Sequence, residues 1–386
     1  MFHATERLPH ILPPQAYWSD AQFHDEIGRL FSRSWHFVGV QSQLSTPGDF
    51  ITTDVCGQPI QVRNFDGVLH VVSNVCAHRH CLLSGLKSGN SPRLRCQYHG
   101  WEYDASGASQ RIPLAQHFAP LDRNSVRLPI YRVESVGQLI YVNLDANAPN
   151  LSTFLGERYE TIRNAFNDGW KVMVSRSFEQ QVNWKIPIEN SLEAYHVPAI
   201  HPETFRVDPG EDRSKHHFVD RGSWFETELP FAPHSKADAL FQRVEGALVK
   251  LFLGSQPTRR YQQHLVFPNN LFSFTDMVSL LHVVRPRGPR ACTSVVYQFG
   301  RTGSSYLSRK VCQLWGSMAA QITLSILKED FQLFPDIQRG LDASQQKGML
   351  GRCEERIHQF QHWLQNQLEQ TDSTGQIATS GCPHLG

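Results

Sequence analysis

Hydrophobic positions along this chain change their period several times, and each change predicts a different element. Between Asp20 and Trp35, Phe23, Ile27, Leu30 and Phe31 recur at helical spacing, which predicts one amphipathic helix. From Asp49 the period shortens to that of strands. Residues 49–53, 59–62 and 68–72 are brief β-branched runs separated by Gly or Asp-Gly turns, and Asp66-Gly67 predicts a hairpin. Residues 136–144 read as a further strand, and Pro149 closes this region. Beyond it, residues 154–170 show helical spacing. Residues 265–268, 271–274, 279–286 and 293–299 read as strands of one antiparallel sheet. A long helix is predicted over 307–334, with another over 352–368. The pattern divides the chain into an N-terminal helical segment (1–36), a compact β domain (37–148), a mixed α+β domain (149–370) and a polar, Gly-containing tail (371–386) expected to be mobile.

Composition narrows the function classes. The chain has 386 residues, enough for two ordinary domains. A formal net charge of +1 with dispersed Lys and Arg gives no electrostatic case for nucleic acid or an anionic membrane. No stretch of about 18 apolar residues predicts a membrane span, and the N-terminus MFHATERLPH has no apolar signal core. Among eight cysteines, Cys56, Cys81, Cys292, Cys312, Cys353 and Cys382 lack a framework spacing and read as thiols of a reducing cytoplasm.

The other two cysteines carry chemistry. Cys76-Ala77-His78 and Cys96-Gln97-Tyr98-His99 each supply one thiolate and one imidazole from a short loop, with seventeen residues between the clusters. Two Cys on one iron and two His on the other make a Rieske [2Fe–2S] centre. A tetrahedral zinc site competes for the same four ligands. Zinc fingers pair Cys with Cys and His with His, however, whereas here each loop carries one of each. The stretch CAHRHCLL…CQYHGWEYD resembles the Rieske domain of aromatic-ring-hydroxylating oxygenases. Cys81 stands where Rieske proteins of the cytochrome bc1 type carry a disulfide cysteine. The partner position holds Tyr98, so that disulfide is not available and Cys81 is expected to pack as a small buried apolar group.

A second constellation lies at NWKIPIENSLEAYHVPAIH, residues 183–201. Glu193 and His196 are three apart, so a helix would place them on one face. His201 follows five residues after His196, and Pro198 between them would bend or end that helix and let the imidazoles converge. Two His and a carboxylate form the facial triad of a non-haem Fe(II) site. Asp330 is the candidate carboxylate. It shares a helical face with Ile322, Ile326, Leu327, Leu333 and Phe334, where a bare charge would be costly. Glu329 is rotated off that stripe, and Asp336, past Pro335, is the second choice.

Taken with the Rieske pair, NWK…EN…E-x-Y-H-x4-H resembles the catalytic signature of the Rieske non-haem iron oxygenase α-subunit, over roughly residues 18–368. The resemblance implies an all-β Rieske domain followed by a helix-grip catalytic domain of antiparallel sheet and helices. It implies Cys76, His78, Cys96 and His99 as cluster ligands, and His196, His201 and Asp330 as ligands of a mononuclear Fe(II). It implies a homotrimer, or an α3β3 assembly with a small β-subunit, in which Glu193 bridges His196 of its own chain and His99 of the next. Asn190 is expected near the iron. Glu at the bridge, where most aromatic dioxygenases have Asp, recurs in enzymes acting on carnitine-like quaternary amines.

No G-x-G-x-x-G between strand and helix and no ferredoxin-type cysteine set occurs, so electrons from NAD(P)H are expected through a separate reductase, directly or by way of a ferredoxin. Arg79, Lys87, Arg93 and Arg95 are candidates for docking an acidic donor, against an ordinary solvated surface as the plainer reading. The expected reaction is monooxygenation or oxidative demethylation of an aromatic or quaternary-amine compound. The alternatives are cis-dihydroxylation of an arene and plain Rieske electron transfer. Phe205, Phe218, Phe225, Phe231, Leu265, Phe272 and Phe274 are the expected pocket walls.

Overall fold

A computed structural model describes residues 2–201, 210–228, 236–258 and 260–369. The expected tail, Phe205, Phe231 and Cys382 lie outside them.

Two seven-stranded antiparallel sheets organise these residues. The first runs His36–Val40, Leu139–Asn143, Ile130–Val136, Val68–Ser73, Gln58–Phe65, Asp49–Val55, Ser88–Asn90 in spatial order. Asp66-Gly67 closes the predicted hairpin, with Asp66 at φ 50° and Phe65 paired to Val68. The second runs Trp170–Gln180, Ala291–Arg301, Val278–Gly288, Asn270–Phe274, Arg260–Val266, Gly222–Glu228, Lys215–Val219. All four predicted late strands fall in this second sheet. A small three-stranded sheet (Leu94–Arg95, Glu102–Tyr103, Ser109–Arg111) carries the second Cys-His loop.

The two large sheets share a core. Trp35, Phe37 and Tyr141 from the first half pack with Phe272, Tyr297 and Phe299 of the second. Phe37 meets Tyr297 edge-on at 5.1 Å between centroids, and Phe166 meets Phe299 at 5.0 Å. Large aromatic rings joined this way add to the area they bury, so the halves hold a fixed relation.

Three predicted helices differ from expectation. The 20–35 segment is α-helical over Asp20–Asp25, widens to a π turn over Glu26–Leu30 and ends in a 3-10 turn over Phe31–Arg33. It widens at Glu26, whose fully buried carboxylate accepts from Lys185 Nζ and Trp184 Nε1, each at 2.7 Å. The 154–170 segment gives only Leu151–Leu155 and Tyr159–Ala165. There the Asn167 side chain accepts from Gly169 N at 2.8 Å, making a turn that sends Trp170 into a strand. The long helix runs from Tyr306 to Ala343, straight through Pro335, capped by the Ser305 hydroxyl accepting from Ser308 N. It lies close to the sheet because Gly316 faces Gly300, where an added Cβ would come within 2.9 Å of Met173 and 3.4 Å of Gly300 Cα. A last helix, Glu355–Glu369, follows a 3-10 turn at Arg352–Glu354. No helix among the described residues is long and apolar enough to cross a membrane.

Two candidate metal centres

The two Cys-His loops are built alike. In one, His80 N donates to Cys76 O at 3.1 Å and Cys76 N to Cys81 O at 2.9 Å. In the other, Gly100 N donates to Cys96 O at 3.1 Å and Cys96 N to Trp101 O at 2.8 Å. Each loop thus curls around its cysteine and closes on a left-handed residue, His80 at φ 57° and Gly100 at φ 71°. An added Cβ at Gly100 would meet only the movable guanidinium of exposed Arg95, so the glycine answers to the left-handed backbone. Gln97 ties the loops together, its N donating to Leu83 O at 3.1 Å and its Nε2 to Leu82 O at 3.0 Å. These bonds do the joining that a disulfide would do elsewhere. Cys81 is half-buried rather than fully buried, at the edge of this cluster's apolar packing.

Cys76 and Cys96 are 1% and 2% exposed. The Tyr103 hydroxyl stands 3.1 Å from Cys76 Sγ and donates to it when the sulfur is a thiolate. The His78 ring stacks on Trp101 at 4.8 Å and 1°, and its buried Nδ1 has no hydrogen-bond partner. A buried imidazole nitrogen left without a partner fits a metal ligand. Among the described residues, only His196, His201 and Asp330 gather ligand atoms within 4.8 Å of one another. Two thiolates and two imidazoles, one of each from either loop, are the donor set of a two-iron Rieske cluster.

The second centre forms where a loop from residues 191–201 meets the long helix. Glu193 lies in irregular backbone and His196 in a turn, neither of them on a helix. Three-residue spacing still brings them together, because Glu193 Oε2 accepts from His196 N at 3.1 Å and its Oε1 accepts from His196 Nδ1. Pro198 opens a helix rather than ending one. The short helix Val197–Ile200 has Pro198 in its first turn and ends at His201, so one turn of backbone carries His201 back beside His196. The two rings are 5.3 Å apart. Asp330 is buried on the long helix with Phe334, although Ile322 and Leu333 of the predicted stripe are exposed, while Asp336 is exposed and elsewhere.

Hydrogen bonding sets the tautomers. A carboxylate can only accept, so Glu193 fixes a proton on His196 Nδ1, and Glu329 Oε2, at 2.6 Å, fixes one on His201 Nδ1. Both Nε2 lone pairs then face Asp330 Oδ1, at 3.5 Å from His196 and 3.0 Å from His201. That oxygen is buried and accepts no hydrogen bond. Three lone pairs turned toward one point repel unless a cation lies between them, so the residues fit a divalent metal. Burial opposes an imidazolium at His201, but Asp330 and Glu329 outweigh it and raise its pKa above the usual value, so a proton on Nε2 competes with a metal for the place between His201 and Asp330.

Glu329 was not expected here. It lies one residue off the apolar stripe, and its partner is remote in sequence. Tyr103, within the GWEYD stretch, was also not singled out. Asn190 ends the helix Lys185–Asn190 and lines the adjoining cavity.

That cavity is about 390 Å³ and contains His196, His201 and Asp330 in its wall. Strand alternation decides the rest of the lining. Tyr261 and Gln263, Leu271 and Ser273, and Leu280 and His282 face it from three neighbouring strands. Of the expected walls, Phe225 and Phe274 line it. Leu265 and Phe272 are buried in the two cores instead, and Phe218 packs on His3 outside it. Glu245 also reaches the cavity. Burial, with Asp276 adding, raises its pKa to about 7.

The ring hydroxylating alpha subunit (catalytic domain) family matches residues 167–370, and the Rieske [2Fe-2S] domain family matches residues 34–132. Choline monooxygenase of Spinacia oleracea is 25% identical over 377 residues, which is 92% of this chain and 78% of that protein. The glycine betaine monooxygenase oxygenase subunit of Chromohalobacter salexigens is 25% identical over 368 residues, covering 86% and 80%. In fold, the chain is similar to the quaternary ammonium Rieske monooxygenase CntA solved with L-carnitine, with a TM-score of 0.76 over 93% of this chain and 96% of that one at 20% identity.

Proposed function

The chain belongs to the family of Rieske ring-hydroxylating oxygenase α-subunits, and from that premise we propose that its substrate is a quaternary amine, oxidised at an N-methyl carbon with loss of the methyl as formaldehyde. The observation that carries this reading is the cavity beside His196, His201 and Asp330. Phe225, Tyr261 and Phe274 put aromatic side chains in its wall, and Glu245 adds a carboxylate. Aromatic faces hold an alkylammonium by cation–π attraction, worth about 2 kcal/mol when water is excluded. A bound cation would also favour the ionised form of Glu245. Two relatives named for choline and glycine betaine, both quaternary amines, support the assignment.

In this reading His196, His201 and Asp330 hold the mononuclear iron, and Cys76, His78, Cys96 and His99 hold the cluster. Iron bound there supplies open positions for O2, and the cluster supplies electrons one at a time. The chain's own residues do the positioning. Glu193 and Glu329 keep the Nδ1 protons in place and aim both imidazoles. Tyr103 steadies the Cys76 sulfur, and Trp101 holds the His78 ring. His99 is exposed, and no hydrogen bond joins it to Glu193 within one chain among the described residues. We assign Glu193 to meet His99 of the partner subunit in a homotrimer, with a separate reductase delivering electrons. Apart from the two cluster cysteines, Cys81, Cys292 and Cys312 form no disulfide among the described residues, which supports a reducing, cytoplasmic setting.

A single turnover tests the substrate class. Chemically reduced protein is mixed with choline, betaine, carnitine and a set of arenes, exposed to O2, and its products are weighed by mass spectrometry. Formaldehyde and a demethylated or singly oxygenated amine are expected. A product with two added hydroxyls on an arene ring, and no amine product, would make this an arene dioxygenase.

A further inference from the structure

Arg356 stands in the cavity wall and is 2% exposed. It comes from the first turn of the last helix, Glu355–Glu369. Its Nε donates to Ser223 Oγ at 3.2 Å and its Nη1 to Gln263 Oε1 at 3.0 Å. Both acceptors are neutral. Nη2 is buried with no hydrogen-bond partner, and among the described residues no carboxylate pairs with this guanidinium. The neighbouring carboxylate, Glu355, is engaged elsewhere. It accepts from His3 N, Ala4 N and His216 Nδ1. Burial presses the Arg356 pKa down to about 9, which still leaves a cation at neutral pH.

A buried cation without a counter-ion is costly, and an orphan donor adds to the cost. Such an arrangement persists where a ligand completes it. The guanidinium is held by two side chains, so its free N–H groups are already oriented. Charge-assisted hydrogen bonds from Arg to a carboxylate are the strong complement to that geometry. Gln263 and Tyr261, which share the strand facing Arg356, line the same cavity.

We propose that Arg356 receives a carboxylate of the substrate, so that the enzyme selects an anionic or zwitterionic molecule over a neutral or purely cationic one. This deepens the quaternary-amine reading by adding the second charged end. It rests on that reading only in taking the cavity as the substrate site.

Binding to the purified protein separates the two ideas. Four probes are titrated by calorimetry: trimethylammonioacetate, its primary amide, tert-butylacetate and tert-butylacetamide. The last two put carbon in place of the ammonium nitrogen. Each acid should bind at least about 30-fold more tightly than its amide, as expected when one partner of a buried charge pair is removed. In Arg356→Gln that ratio should fall to near one. Arg356→Lys, which keeps the charge but loses the fork, should retain part of it. The wild-type comparison needs no variant, so a poorly folding mutant leaves the test intact. Equal binding of acid and amide, or no binding by either acid, would overturn the proposal. If tert-butylacetate binds as well as trimethylammonioacetate, and both exceed their amides, the carboxylate site stands and the quaternary-amine reading falls.

Discussion

Glu329→Gln is the most informative change to the mononuclear site, because it alters no candidate ligand. Gln has the shape of Glu and can still accept from His201 Nδ1, but the bond at 2.6 Å ceases to be charge-assisted. Loss of such a partner costs about 10–100-fold in metal affinity, or about 1.4–2.8 kcal/mol. Two structural facts decide where in that range the effect falls. The His201 side chain is 2% exposed, so its bond lies in a low dielectric, whereas the Glu329 side chain is 30% exposed and partly screened. An effect of about tenfold is expected. The assay is anaerobic Fe(II) competition against a chelator, with the visible absorption of the Rieske cluster as an internal standard that should not change. Asp330→Asn, which removes the candidate ligand's charge, should weaken iron more severely. Iron affinity unchanged within twofold in Glu329→Gln would refute the claim that this carboxylate orients the imidazole.

Other predictions follow from single contacts. Tyr103→Phe should keep the cluster but lower its reduction potential by about 40 mV, since a hydrogen bond of ~1 kcal/mol to the sulfur favours the more negative reduced state; protein-film voltammetry measures it. Glu193→Gln should weaken iron by a factor similar to that of Glu329→Gln but, with iron saturating, slow turnover with the reductase severely, read by stopped-flow oxidation of the reduced cluster. Acid should destabilise the fold between pH 6.5 and about 4. Burial lowers the pKa of His36 and His282 to about 4 and of His264 to about 3. The unfolded chain therefore takes up protons that the folded one refuses, and each group removes a few kcal/mol of stability as pH falls through that window. Urea midpoints measured at pH 7 and pH 4.5 test this, and a flat profile would contradict it.

Much of this was legible in the chain. Alternation along 271–286 gave the strands, and Cys-x-His with Cys-x2-His gave the loops, because local spacing determines both. Asp330 was legible because an acid on an apolar helical stripe is anomalous by itself. Glu329 was not, since its significance exists only once His201 is folded against it. The Glu193–His196 contact was expected for a helical reason and is made outside a helix instead, as a three-residue span closes equally well either way. Phe272 was misassigned to the pocket because proximity to a motif in sequence says nothing of which sheet face a residue takes, and Leu265 because it shares the face of Tyr261 and Gln263, opposite Leu271, but packs into the core instead of the cavity wall. Arg356 left a signal that went unused. It stands four residues before Phe360 and eight before Leu364, on a stripe that is buried throughout.

The central claim is that one chain holds two separate iron centres, and iron analysis with visible absorption tests it most directly. Wild-type protein should contain three irons per chain, two of them in the cluster. His196→Ala should contain two, with the cluster absorption unchanged. Two irons in both proteins would contradict the mononuclear site, and loss of the cluster absorption in Cys76→Ala without any fall in total iron would contradict the Rieske assignment.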